Sequence, residues 1–228
     1  MVDTDRRSYL HRAIEAQVPR KVCRDIVNRI RFGAAAPLSD MTIYGVPREI
    51  TEFYAPGGGY PRLRRQQSGM VLGGDWDLRR TDVEGNIKMI SCRMRWEGGA
   101  DWRDTPIFQR MLDEIAAGEA PDDCKSPEDV AARYVALDRV FAQTRERGRL
   151  LTRSELPGHF RREHGGVLLH VARDGTLLRA GGGQHRFAIA KILDLPEMPA
   201  QLGVVHRDAL RSGVLDRLRV SRNTGCRA

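Results

Sequence analysis

The segment spanning residues 167–205 constrains this chain most. Two β-prone runs, 166–172 and 176–180, flank Asp174-Gly175, a dipeptide that signals a tight hairpin between strands. The second run ends directly in Gly181-Gly182-Gly183, a helical pattern follows over 185–193, and Pro196 and Pro199 lead into a last strand over 200–205. Glycines lack Cβ atoms, so their main-chain amides can approach an anion closely. A helix that starts behind them adds free N–H groups and the positive end of its dipole. Gly181, Gly182, Gly183, Gln184, His185 and Arg186 are therefore the candidate phosphate-binding residues. Arg186 offers a planar fork for phosphate oxygens, and His185 a donor that titrates near neutrality in an ordinary setting.

Elsewhere the pattern is mixed helix and strand. Residues 6–31 read as a helix that Pro19 divides in two, with Val22, Ile26 and Ile30 on one face and Gly33 as its stop. Such a helix packs on its own domain, or docks on a membrane or nucleic acid. A strand is expected over 41–46 and a short apolar run over 69–72, and residues 87–96 have strand-like stretches. Thr105-Pro106 starts a helix that Gly118 ends. Ser126-Pro127-Glu128-Asp129 starts another that Gly148 ends. A closing helix is expected over 208–220. The parts are then a helical segment at 1–33, a main domain at 41–210 with a helical insert at about 102–160, and a basic helix and tail at 208–228.

Phosphate chemistry also needs a metal or a base. Gly73-Gly74-Asp75-Trp76-Asp77 is the leading acidic candidate. Asp75 and Asp77 would bind Mg²⁺ or accept a hydroxyl proton; the alternative is an Asp-rich turn around a buried Trp76. Glu155 is a second candidate base. Arg62, Arg64 and Arg65 would steer an anionic substrate, or form a solvated run.

The 228 residues carry a net charge of +8, and it sits at the ends. Residues 1–31 hold eight basic and four acidic side chains, residues 206–228 six and two, and the middle is balanced. Basic ends suit nucleic acid, an anionic membrane surface or an acidic partner. No run of 18 apolar residues and no secretory signal is present, which points to the cytoplasm. Cys23, Cys92, Cys124 and Cys226 are scattered, without metal-site spacing, and are expected as reduced thiols.

Residues 174–175, 180–190 and 195–202 together resemble the ParB/sulfiredoxin superfamily, whose members carry a Gly-rich loop with His-Arg or Arg-Arg before an alanine-bearing helix. The resemblance covers about 40 residues closely, and a weaker likeness extends to 42–50. It implies an α/β (α+β) fold with a small mixed sheet, a nucleotide (ATP, ADP or CTP) held on the 181–186 loop, and Mg²⁺ as cofactor. Gln184 stands at the sulfiredoxin nucleophile position and cannot carry that chemistry. No helix-turn-helix domain follows, unlike a full partition protein. The resemblance then implies a kinase or NTPase acting on a small hydroxylated molecule, with His185 and Arg186 stabilising the transferring charge. The alternatives are a non-catalytic or CTPase-type nucleotide-gated module that binds nucleic acid through its basic ends, and a peripheral factor of a glycan or lipid pathway.

Overall fold

A computed structural model describes residues 3–222, with side chains from Tyr9 onward. Two helices come first, α1 (Asp3–Glu15) and α2 (Val18–Phe32). The break falls at Gln17, which takes a left-handed conformation, and Pro19 sits in the first turn of α2, where a missing N–H costs nothing. Strands β1 (Thr42–Gly45), β2 (Glu52–Tyr54), β3 (Val71–Leu72) and β4 (Arg80–Asp82) follow. A helical layer holds α3 (Ile87–Trp96), α4 (Pro106–Ala116) and α5 (Pro127–Arg147). The chain returns through β5 (Val167–Val171), β6 (Leu177–Arg179), α6 (Gln184–Ile192) and β7 (Met198–His206), and ends in α7 (Arg207–Arg211) and α8 (Val214–Leu218).

The fold is α/β, with a mixed seven-stranded sheet. The strand order is β1-β7-β5-β6-β2-β4, and β3 also pairs with β7. β5 and β7 run parallel at the centre, and β5–β6 is the hairpin turned by Asp174-Gly175. Every residue of β5 and β7 is buried, as strands covered on both faces require. Helix α6 is the crossover from β6 to β7. It packs Phe187, Ala188, Ile189 and Ala190 inward.

Three expectations need correction. Residues 87–96 form a helix, capped by Asn86, whose side chain accepts from the Lys88 amide at 3.0 Å. Met89, Cys92 and Trp96 recur with a helical period, which the short strand-like stretches obscured. The helical layer therefore starts earlier than 102, and it shares one core with the sheet: Trp102, Phe108, Val130 and Tyr134 belong to the same cluster as Val167, Leu169 and Phe187. The closing helix is split at Gly213, which is left-handed. Among the described residues, no helix is long and apolar enough to cross a membrane. Cys23, Cys92 and Cys124 are unpaired, and Cys226 lies outside the described residues, as does the tail beyond 222.

Helix α2 is turned opposite to the usual sense. Its polar side faces the body. Lys21 Nζ donates to Asp40 Oδ1 at 2.7 Å, and Asn28 donates to the Pro37 and Gly69 carbonyls. Arg24 reaches the Gln66 and Ser68 carbonyls, and Asp25 accepts from the Ser39 amide. Its aliphatic side faces out.

The centre of the sheet carries a polar anchor on β5. His170 is fully buried on β5, and its Nδ1 accepts from the Val204 amide of β7 at 3.0 Å. The ring fits because Gly203 has no side chain: a Cβ there would overlap His170 Nδ1 and approach the Leu169 carbonyl to 2.8 Å. Backbone on one side and a buried ring on the other leave nothing free to yield. Gly203→Ala should therefore destabilise the fold by about 3 kcal/mol, read as a lower urea midpoint with an unchanged slope.

Candidate functional site

The glycine turn joins β6 to α6. Gly182 and Gly183 both have positive φ, at 95° and 64°. Gly183 is the N-cap of α6, and its missing Cβ is a packing requirement: one would stand 2.7–2.8 Å from the Gly166 carbonyl and the Val167 backbone. A Cβ at Gly182 would meet the guanidinium of Arg65, which a substitution there would push aside. Gly181 has open space around it. Among the described residues, the amides of 181–186 find no internal acceptor. This is the state expected of an anion-binding helix start.

Arg179 orients the turn from beneath. It is fully buried at the end of β6, with no carboxylate in reach among the described residues, and burial lowers its pKa to about 9. Its guanidinium donates to the Leu168 carbonyl at 3.3 Å and to the Gly182 carbonyl, and it lies over the rings of Phe53 and Phe187. In a trans peptide the C=O and the following N–H point in opposite directions. Holding the Gly182 carbonyl inward therefore turns the Gly183 N–H outward.

Arg65 extends the site. Sequence had placed it in a run with Arg62 and Arg64, which are exposed, whereas Arg65 is half-buried against Gly182. It donates to Gln201 Oε1 at 2.5 Å and to the Gly166 carbonyl at 2.6 Å. Burial lowers its pKa to about 10, and the guanidinium stays charged at neutral pH. Arg65 also lines a cavity of about 270 Å³ with Arg12, Lys21, Arg153, Phe160 and His164, opposed by Glu15. That volume falls just short of the roughly 300 Å³ at which small-molecule sites begin. Arg153 Nε is buried there without a hydrogen-bond partner. Lys21 is already paired with Asp40, whereas Arg12, Arg65 and Arg153 have no carboxylate within ion-pair distance among the described residues. The cavity is therefore cationic.

The two side chains that sequence placed on the phosphate are turned elsewhere. Arg186 donates to the Leu151 carbonyl at 2.6 Å and lies 3.5 Å from Glu163 Oε1. Glu163 is buried, accepts from the Arg153 amide at 2.8 Å, and has its pKa raised by burial. Arg186 thus ties the loop to the 151–163 segment. His185 points into the helical layer, its ring edge-on to Tyr134 at 5.9 Å, with Nε2 buried and unpartnered. Burial, then Lys88 and Arg133, lower its pKa to about 4, so it is neutral at physiological pH. Gln184 borders a small hollow with Arg179 and Phe187.

The acidic turn lies at the other end of the hairpin. Asp77 is fully buried, and Arg173 grips it through its amide at 2.9 Å and its guanidinium at 2.7 Å. Burial pushes the Asp77 pKa up, but the Arg173 hydrogen bonds outweigh it and hold the carboxyl below its usual range. Asp75 also binds Arg173, at 2.8 Å, and Trp76 is buried against Tyr54 and His170. Arg173 follows the C-terminal end of β5, whereas Gly183 packs at its N-terminal end, roughly 20 Å away at strand rise. Asp75 and Asp77 are therefore structural partners of Arg173 and stand apart from the loop. Among the described residues, no three His, Cys, Asp or Glu side chains are grouped to hold a metal ion. Glu155 caps its own turn, accepting from the Thr152 amide and pairing with Arg149, which lowers its pKa to about 2.

Arg65, Arg153, Arg179 and Glu163 escaped the sequence reading as loop partners. Only the Arg62-Arg64-Arg65 run gave a signal. No family model matches the chain, and no curated protein or solved structure matches it.

His170 and His185 have native pKa values of about 3 and about 4, against an ordinary 6.5. Below pH 6.5 the unfolded chain binds protons that the native one does not, so stability falls as the pH drops from 6.5 toward 4. Melting temperature measured across that window should decline. His185→Phe, which keeps the ring on Tyr134 without the proton site, should flatten part of the decline.

Proposed function

We propose that this chain binds a nucleotide through its phosphates, at the junction of the 181–186 turn and the cationic cavity. One observation carries the reading: Arg65 lies against Gly182 and also lines the cavity, so the free amides and the unpaired guanidinium groups form one anion-attracting surface. The resemblance to the ParB/sulfiredoxin superfamily supports it, because that resemblance rests on this same turn.

The residues present fit a polyphosphate. Main-chain amides and arginine forks are the usual donors to phosphate oxygens, and a half-buried site strengthens each bond. Arg65 would span two phosphates or a phosphate and the turn, Arg153 would close the cavity side, and Phe160 offers an apolar wall for sugar or base. They do not fit the Mg²⁺ site expected at Asp75 and Asp77, both of which are engaged by Arg173. The supported step is therefore binding, as in a nucleotide-gated module, and the kinase or NTPase reading loses its acidic partner.

A thermal-shift panel of ATP, ADP and CTP, with and without Mg²⁺, tests the reading. At least one nucleotide should raise the melting temperature. Arg153→Ala should weaken its affinity about tenfold, the loss of one charge-assisted contact, whereas Arg149→Ala, paired with Glu155 instead, should not. If no nucleotide shifts the melting curve, or Arg153→Ala and Arg65→Ala both leave affinity unchanged, the site is misassigned.

A further inference from the structure

The outer face of the N-terminal helix pair is apolar and has no partner in the fold. On α2, Val22 is 45% exposed, Ile26 54%, Val27 47% and Ile30 80%; on α1, Leu10 is 62% and Ile14 65% exposed. Isolated exposed aliphatics are ordinary on a soluble protein, but a contiguous patch is not. At 3.6 residues per turn, Val22, Ile26, Cys23, Ile30 and Val27 cover an arc of roughly 140° around α2. Arg29 borders that arc on one side, Arg20 and Arg31 on the other, and all three are exposed. Asp25, the only acid on α2, is turned inward onto the Ser39 amide. Beyond the C-terminal end of α2 the surface continues into a hollow of about 510 Å³. Phe32, Ala35 and Leu210 line it together with Arg31, Arg207 and Arg211.

We infer that this face docks the protein on an anionic lipid bilayer. The occupant must offer an apolar layer beneath a sheet of negative charge, because aliphatic side chains project between arginines. A bilayer rich in acidic phospholipid has that layering. The aliphatic stripe enters the acyl boundary, while the arginines, on long apolar stems, reach back to the phosphates. A second copy of the chain fits poorly, since pairing the stripes would bring arginine margins against arginine margins. Nucleic acid fits poorly too, since the stripe between the arginines has no group to bond a base edge or a phosphate. The inward anchoring of α2 by Lys21, Arg24, Asp25 and Asn28 supports this mode. The helix is fixed by its polar side and presents the other side flat, about 22 Å long at helix rise.

Cosedimentation of the full chain with vesicles tests the inference. Binding is expected to vesicles of phosphatidylcholine mixed with phosphatidylglycerol, to be much weaker with phosphatidylcholine alone, and to weaken with added salt. The double variant Ile26→Glu, Ile30→Glu, both at exposed positions, should lose at least about tenfold in the vesicle partition coefficient while its melting temperature stays close to that of the parent. Ile26→Leu, Ile30→Leu should retain binding. Three results would overturn the inference: no binding to the acidic vesicles, binding that the double Glu variant leaves unchanged, or a homodimer in analytical ultracentrifugation that the same variant splits. The nucleotide site is not altered in these variants, so the melting-curve response to nucleotide reports on that site separately.

Discussion

A guanidinium without a carboxylate, sealed beneath the glycine turn, is the interaction on which the candidate site depends. Burying a charge is costly unless it is paired or fully hydrogen-bonded. Arg179 meets that requirement with the carbonyls of Leu168 and Gly182 and the faces of Phe53 and Phe187. Its charge is not neutralised, so positive potential remains under the turn. Its hydrogen bond also fixes which way the Gly182–Gly183 peptide points. Arg65, against Gly182, adds its repulsion to the burial that lowers the Arg179 pKa, while Asp40 and Glu163 partly offset the charge of Arg65 itself.

The architecture was legible where a local rule had one physical reading. Asp174-Gly175 turned the expected hairpin, Ser126-Pro127 started α5, Gly148 ended it in a left-handed cap, and the glycine run led into α6. The short strands β2 and β4 were not legible. Each is three residues long, and their pairing across the sheet gives no periodic signal in so short a run. The site was half legible for a similar reason. The turn's main chain announced itself through glycine. The side chains that complete it come from 65, 153, 163 and 179, and no spacing rule links those positions to residue 182.

His185 and Arg186 show why a motif names a place more reliably than a role. Adjacent residues at a helix start project about 100° apart, so their neighbours can draw the two side chains of such a pair in different directions. Here the helical layer supplies Tyr134 to one, and the 151–163 segment supplies Leu151 and Glu163 to the other. Those side chains instead bind the turn to the two segments that flank it. Asp77 was misread in the same way: an acid beside glycines looked exposed, yet Arg173 and a buried Trp76 made it a strut under the far end of the same hairpin.

Helix α2 joins the two surfaces of this molecule. Its apolar stripe matched the helical period, and periodicity alone assigns such a stripe to the core. Here the helix packs on its own domain through its polar side instead, and the stripe faces out. Lys21 donates to Asp40, Gln201 donates to the same Asp40 oxygen at 2.7 Å, Gln201 accepts from Arg65, and Arg65 lies on Gly182. Burial pushes the Asp40 pKa up, yet the bonds from His164 and Lys21 outweigh it and keep the carboxylate ionised. The helix pair is thus one wall of the cationic cavity on its inner side and an apolar-basic platform on its outer side. Contiguity of this kind becomes coupling only if the chain has a second arrangement that both surfaces prefer differently. Asp40 is where the two surfaces meet in this arrangement: Lys21, Gln201 and His164 share one of its oxygens, and Arg161 sits 3.2 Å from the other.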